Sequence, residues 1–212
     1  MTEAVSGPDA VPRQRDFERF LTFVDAVVAI AITLLVLPLV DAAGQISRGG
    51  SVAHLVHANA AQIGAFFLSF AVISNLWLDQ HRVLHHVVAA DRAVTRLLLW
   101  WTLTIVVLPF PTALITGHDV SDQPTTKILY VGTMAASSLM LTLVTLAVRR
   151  DRDLRDTDES PDFVPSLVAA VAFGIALGLM LLFPELSYWP LLLLLVLRFP
   201  LPRRDRATRG PQ

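Results

Sequence analysis

The chain has no cysteine, and its charges nearly cancel, with a formal net charge of -1. The missing cysteines exclude disulfide bridges, thiolate metal sites and cysteine nucleophiles. The balanced charge gives no indication of a nucleic-acid-binding protein. Residues 1–16 also lack the apolar core and small-residue cleavage site of a signal peptide, so we expect the first hydrophobic stretch to remain in the mature protein.

Apolar residues dominate the composition. They make up 54% of the 212 residues against 17% charged, and the mean hydropathy is +0.57. A helical membrane span needs about 20 mostly apolar residues, and unbroken runs of this kind favour helices over a barrel. Six stretches fit, and they predict an all-α polytopic membrane protein: Phe17–Val40, Ser51–Leu78, Ala93–Ile115, Thr125–Val148, Phe163–Phe183 and Leu186–Leu201.

The distribution of basic residues predicts the orientation. With the N-terminus inside, 15 of the 17 Lys and Arg lie in cytoplasmic segments, and only Arg48 and Lys127 lie outside. Membrane proteins show this excess on the cytoplasmic side. We therefore predict a plasma-membrane protein with both termini cytoplasmic, consisting of a tail at 1–16, a six-helix membrane domain at 17–201 and a basic tail at 202–212.

A charged residue inside the first span requires an explanation. Asp25 lies nine positions into Phe17–Val40. A charged side chain in a span costs roughly 2.5 to 3.5 kcal/mol on insertion scales, so such residues are usually buried against protein partners. Arg19 is six positions away, which is not a same-face spacing on a helix. Each residue therefore needs a partner elsewhere, and we expect it at the cytoplasmic end of the second helix, between Ser69 and Arg82, where Trp77 is typical of an interfacial aromatic belt. The alternative is that this end of the helix only enters the headgroup region.

The histidines do not indicate a metal site. His81 and His85 have the four-residue spacing of two ligands on one helix face, but no carboxylate stands between them in the HExxH arrangement. We therefore expect no metal and no cofactor. A second intramembrane carboxylate or an activated nucleophile is also lacking, which disfavours an enzyme.

A short motif opens the first span. Arg19, Phe23 and Asp25 occupy three positions of the pattern Arg-x-x-x-Phe-Ser-Asp. This pattern resembles the signature of the lysosomal and bacterial potassium channels of the transmembrane protein 175-like class. The resemblance extends over about residues 15–150, and it includes further matching residues in the second and third spans: Ser69-Phe70, Trp77, His81-Arg82 and Leu108 to Leu114.

Two positions depart from the family pattern. Val24 stands where the motif has serine, and Gln80 stands where the family has the first of two histidines. In the family these positions lie on facing helices, so we expect the polar network between the first two spans to be rewired or weakened. The residues Val24 and Gln80 therefore bear on how the channel opens and closes.

The resemblance implies a homotetrameric, potassium-selective leak channel in a lipid bilayer. In this family the first helices surround the axis, and narrow rings of apolar side chains select the ion. The matching positions are Ile30, Thr33 and Leu37, whose spacing of three and four puts them on one helix face. Rings of isoleucine close a pore by dewetting, and hydroxyls replace part of the hydration shell of an ion. The resemblance also implies a structural or gating network, which consists of Arg19, Phe23, Asp25, Trp77 and His81.

Other functions remain open from the residues alone. Any apolar helix contains sets of three residues with the spacing of Ile30, Thr33 and Leu37. In the alternative to a pore, these side chains face lipid or a neighbouring helix. The main alternative is a proton- or cation-coupled secondary transporter, which predicts paired broken helices in inverted repeats. Pro109 and Pro111 interrupt the third span, but no matching pair occurs in a second half. A carbonyl filter of the Thr-Val-Gly-Tyr-Gly kind is missing too, as is any obvious internal repeat.

Overall fold

The structure is a computed structural model that describes residues 10–44, 52–85, 87, 91–115, 123–150 and 164–182. The regular elements in these ranges are α-helices, which confirms the predicted all-α fold. In chain order they are α1 (Ala10–Leu34), α2 (Leu37–Gly44), α3 (Val52–Ala58), α4 (Ala60–Leu84), α5 (Arg92–Val107), α6 (Pro109–Leu114), α7 (Pro124–Arg150) and α8 (Val164–Leu182).

Five helical segments are long and apolar enough to cross a membrane, and they correspond to the first five predicted spans. The multi-pass membrane architecture is therefore confirmed. The sixth predicted span, Leu186–Leu201, and the tail at 202–212 lie outside the described residues. The five segments are Gln14–Gly44, Ala60–Leu84, Arg92–Leu114, Pro124–Arg150 and Val164–Leu182.

The helix bounds differ from the predicted spans most clearly at three places. Helix α1 begins at Ala10, inside the segment predicted to be a tail. The second span begins at Ala60 rather than Ser51, after the separate helix α3, and it ends at Leu84 rather than Leu78. Hydropathy locates only the apolar part of a helix. Local polar pairs, such as the contact of 3.0 Å between Asp79 and Arg82 one turn apart, prolong α4 beyond that part.

Prolines divide two of the spans. Leu35 and Val36 donate their amide hydrogens to carbonyls three residues back, at 3.3 and 3.2 Å, and α2 starts at the next residue. Pro38 has no amide hydrogen and so cannot bond the carbonyl of Leu34, which explains the break between α1 and α2. Pro109 opens α6 in the same way after a break at Leu108.

The core is centred on α7, which packs against α4, α5, α6 and α8. Trp101 of α5 and Tyr130 of α7 are fully buried there. The hydroxyl of Ser69 on α4 lies 2.8 Å from that of Tyr130 and 2.9 Å from that of Thr112 on α6. This buried hydroxyl cluster joins three helices in a region where water is not available as a partner.

Candidate functional site

The first span, which runs through α1 into the start of α2, has two distinct faces. The face toward the bundle is buried and comprises Phe17, Val24, Val28, Ala31 and Leu35. At 3.6 residues per turn, a second row of residues lies on the opposite side of this span. We call this row the α1 stripe, and all its members are exposed in the single chain: Phe23, Ala26, Ile30, Thr33 and Leu37.

The apolar members of the α1 stripe are large and well exposed. Ile30 is 58% exposed, Phe23 54% and Leu37 51%. The first span has the highest hydropathy of the five, yet only 22% of its most apolar stretch is buried, against 50% in α7. The most apolar helix therefore lies at the edge of the single-chain bundle, and its outer side is covered by lipid or by another copy.

Thr33 supplies the polar atom of the stripe. Its Oγ1 donates a hydrogen bond to the backbone carbonyl of Ile30 at 2.7 Å. The hydroxyl hydrogen is thereby committed to the helix, and the oxygen lone pairs remain as acceptors on the exposed side. Thr33 thus presents a hydrogen-bond acceptor, suited to a cation, one turn from the side chain of Ile30.

Two polar contacts fasten the other side of α1 to α4. The indole N–H of Trp77 donates to Oδ1 of Asp25 at 2.9 Å. The side-chain amide of Gln62 donates to the carbonyl of Pro38 at 3.0 Å. The two contacts are about 20 Å apart along α1 at about 1.5 Å per residue. They fix an antiparallel register between the two spans and keep the α1 stripe turned away from the bundle.

The structure brings three of the five predicted network residues together. The ring of His81 lies against that of Trp77, with centroids 4.8 Å apart, and Trp77 in turn holds Asp25. Arg19 is exposed and makes no ion pair within the described part of the chain. Phe23 lies on the α1 stripe rather than in the network. The contact at Gln62 and Pro38 was not predicted, although a glutamine inside a span is itself a signal of a buried partner.

The two positions that depart from the family motif are both buried. Val24 is completely buried among apolar side chains, so the missing serine hydroxyl is replaced by a packed isopropyl group. Gln80 is 1% exposed, and its Oε1 has no hydrogen-bond partner. An unpaired buried amide oxygen destabilises the fold by roughly 1 to 3 kcal/mol.

Gln80→Leu should therefore leave the thermal stability of the protein in mild detergent unchanged or raise it by about 1 kcal/mol, because the substitution removes the unpaired oxygen and keeps an apolar stem. Gln62→Leu is the matched control. It removes the hydrogen bond to Pro38 and should lower stability by about 1 kcal/mol. Equal losses for the two variants in a thermal unfolding measurement would contradict the different roles assigned to them.

No group of three or more His, Asp or Glu side chains that could hold a metal ion occurs among the described residues. His81 contacts an aromatic ring, and His54 and His57 are exposed on α3. The arrangement therefore offers an apolar, laterally exposed helix face with one acceptor oxygen, supported from behind by hydrogen bonds to α4.

Comparison with known proteins agrees with the motif. Residues 19–109 match the family model described as endosomal/lysosomal potassium channel TMEM175. A potassium channel of Streptomyces collinus is 33% identical over 108 residues, covering 50% of each chain. A potassium channel of Chamaesiphon minutus is 33% identical over 117 residues, covering 53% of this chain and 55% of that protein. The chain thus aligns with about half the length of the curated relatives it matches.

A solved structure shares the fold. The crystal structure of a lysosomal potassium-selective channel TMEM175 homologue from Chamaesiphon minutus superposes with a TM-score of 0.70 at 23% identity, covering 87% of this chain and 96% of that chain. The family model spans the α1 stripe up to Leu37, both contacts between α1 and α4, and the third span up to Pro109. Over residues 19–109 this chain therefore matches the TMEM175 channel family, which confirms the resemblance predicted from the motif in its first span.

Proposed function

We propose that this chain is one subunit of a passive, potassium-selective leak channel, with the α1 stripe lining a water-filled path between copies. Ile30 forms the constriction, and Thr33 and Leu37 form further layers of the path. The observation that supports this proposal is the position of the stripe, which is exposed in the single chain and lies opposite the face that packs on the bundle. A symmetry axis beside that face would bring the same residues of every copy together.

The chemistry of the stripe suits a narrow cation path. A ring of isoleucine side chains expels water when it closes, which gates a pore without any charged group. The Thr33 oxygen, whose hydrogen is bonded to the Ile30 carbonyl, is oriented as an acceptor and can replace part of the hydration shell of a cation. Potassium is the ion proposed because the matched relatives and the solved neighbour are described as potassium channels.

Assembly and placement follow from the same proposal. The single subunit has no internal repeat that would surround an axis, so several copies are required, and the family resemblance favours four. The positive-inside distribution favours cytoplasmic termini in a plasma membrane. Asp25, Trp77 and His81 hold the first helix at its cytoplasmic end, whereas the exposed Arg19 marks the membrane boundary there and Phe23 lies at the inner end of the path.

Liposome flux combined with cysteine labelling tests this function. In liposomes with an outward potassium gradient, the protein should release potassium at a rate that grows with the gradient and needs no co-substrate. The chain lacks cysteine, so a single substitution reports its own position. Thr33→Cys should react with a water-soluble thiol reagent and lose flux, whereas Ile175→Cys on the outer face of α8 should remain unreactive.

The result also separates the channel from its main alternative. A coupled transporter would saturate with potassium and would require a proton gradient or a second ion for uptake. Saturable, coupled transport, or a Thr33→Cys variant that neither reacts nor loses flux, would overturn the proposed channel.

A further inference from the structure

Helix α5 also has an outward face, and its composition changes along its length. Val94, Leu98, Trp101 and Ile105 are buried against the bundle. The opposite row begins with two arginines and continues with apolar side chains. We call this row the α5 outer face, and its members are exposed: Arg92, Arg96, Leu99, Leu103, Val106 and Phe110.

The two arginines have no acidic counterpart in the described part of the chain. They are one helical turn apart on the same side, and neither makes an ion pair or a side-chain hydrogen bond there. The nearest carboxylate in the sequence is Asp91, whose Oδ1 accepts the backbone N–H of Val94 at 2.7 Å and caps the helix. The guanidinium groups of Arg92 and Arg96 therefore have no ion-pair partner in the described part of the chain, and the α5 outer face begins with a net positive charge.

The N-terminus of α5 is the positive end of the helix dipole, and the carboxylate of Asp91 at the N-cap offsets part of it. Arg92 lies in the first turn, where this end of the dipole is unfavourable for a cation, and an external anion beside the two arginines relieves that penalty. A phosphate group matches the donor geometry of two adjacent guanidinium groups.

The position of the α5 outer face along the membrane normal fits a phospholipid. The third span consists of α5 and α6, and from Arg92 to Phe110 it rises about 27 Å, nearly the thickness of the hydrocarbon layer, so the arginines lie at one membrane boundary. Helix α4 ends only a few residues before α5 begins, so Arg82 lies at that same end of the bundle. The positive-inside rule makes this the cytoplasmic boundary, where the leaflet is rich in anionic lipid.

We infer that the α5 outer face binds an anionic phospholipid of the cytoplasmic leaflet. The phosphate lies between Arg92 and Arg96, and an acyl chain lies along Leu99 and Leu103. The charge of this lipid is complementary to the arginine pair, and its chain is complementary to the apolar remainder of the row. Binding at this face does not depend on whether the α1 stripe conducts ions.

Native mass spectrometry in mild detergent measures the binding directly. Purified full-length protein is titrated with phosphatidylglycerol and, in parallel, with phosphatidylcholine of the same chain length. We expect phosphatidylglycerol to be preferred and Arg92→Gln/Arg96→Gln to weaken its binding about 30-fold, since each arginine near an anionic surface contributes about fivefold in affinity. Binding of phosphatidylcholine should not change.

A matched control separates a local site from diffuse charge. Arg15→Gln/Arg150→Gln removes the same charge from exposed positions on α1 and α7 and should leave lipid preference as in the unmodified protein. An equal loss in both double variants, or no loss in Arg92→Gln/Arg96→Gln, would overturn the inference.

A second measurement identifies what covers the apolar part of the face. Leu103→Cys places a single thiol there, because the chain has no cysteine of its own. If lipid covers the face, lipid-soluble spin labels should quench the fluorescence of a label attached to this thiol. Copies of the chain should then not cross-link through Leu103→Cys. A disulfide between copies would show a subunit contact instead and would reject the lipid site.

Discussion

Ile30→Asn should raise passive potassium flux into liposomes by about tenfold, which corresponds to a barrier lower by about 1.4 kcal/mol. The isoleucine side chain is 58% exposed and opposite the bundle, so the substitution does not open a cavity in the core. If Ile30 forms an apolar constriction, a polar side chain of similar size keeps water in that layer. The discrimination between potassium and sodium should fall at the same time, because a wetter layer requires less dehydration of the ion.

The chain offers a close control for this substitution. Ile175 on α8 is 59% exposed, has the same side chain and also lies in a membrane span. Ile175→Asn adds the same polar group to a face that packs on no described helix, and it should leave flux per inserted protein unchanged. Comparing flux per reconstituted molecule corrects for any difference in membrane insertion.

The two variants together discriminate between the interpretations of the α1 stripe. A lipid-facing stripe predicts that Ile30→Asn and Ile175→Asn behave alike and that neither increases flux. A stripe at the axis predicts an increase for Ile30→Asn alone. Reduced flux in Ile30→Asn with normal assembly would show that the isoleucine layer is not the barrier to conduction.

Much of the fold follows from hydropathy, because water is excluded from the spans and each must satisfy its own backbone. Hydropathy therefore predicts all five described spans, although the second predicted span begins nine residues before Ala60 and ends six residues before Leu84. Helix ends are harder to predict, since Asp79 and Arg82 continue α4 through a local ion pair that an apolar count does not register. The break between α1 and α2 follows from Pro38, but its effect on a nearly uniform apolar run is visible only in the hydrogen bonds.

For the candidate site, the sequence predicts that a buried charge needs a partner but not which residue supplies it. That Asp25 requires a partner follows from the cost of a charge in a membrane, and the arginine at a six-residue spacing cannot supply one on a straight helix. Trp77 as the donor requires the antiparallel register of α1 and α4, which depends on packing between distant segments. The sequence also does not reveal that Val24 is in the core or that the Oε1 of Gln80 is unpaired, because both depend on which side of each helix faces the bundle.

The hydrogen bond between Trp77 and Asp25 gives the second large expected effect. Asp25→Ala should weaken assembly and channel opening while leaving the potassium preference of the remaining flux nearly unchanged. The carboxylate is half-buried and accepts the indole N–H at 2.9 Å, and hydrogen bonds to charged groups contribute roughly 1.5 to 3 kcal/mol. Its loss frees the cytoplasmic half of α1, whereas the contact of Gln62 with Pro38 still holds the outer half.

A double-mutant cycle isolates this contact. Asp25→Ala removes the acceptor and Trp77→Phe removes the donor, and the destabilisation energies of the two single variants should sum to more than that of the double variant by about 1 kcal/mol. Thermal unfolding and the retained oligomer fraction on size-exclusion chromatography provide the two readouts. Asp16→Asn, an exposed carboxylate on the same helix, serves as the control and should match the unmodified protein in both.

The selectivity measurement decides what the contact does. Asp25 packs against α4, on a different side of α1 from Ile30 and Thr33, so it should affect how often the path opens and not which ion passes. Reversal potentials of Asp25→Ala in planar bilayers should therefore remain close to those of the unmodified protein while total current falls. A changed potassium-to-sodium ratio at normal oligomer size would place Asp25 on the conduction path, because only a group that contacts the permeating ion alters that ratio without altering assembly.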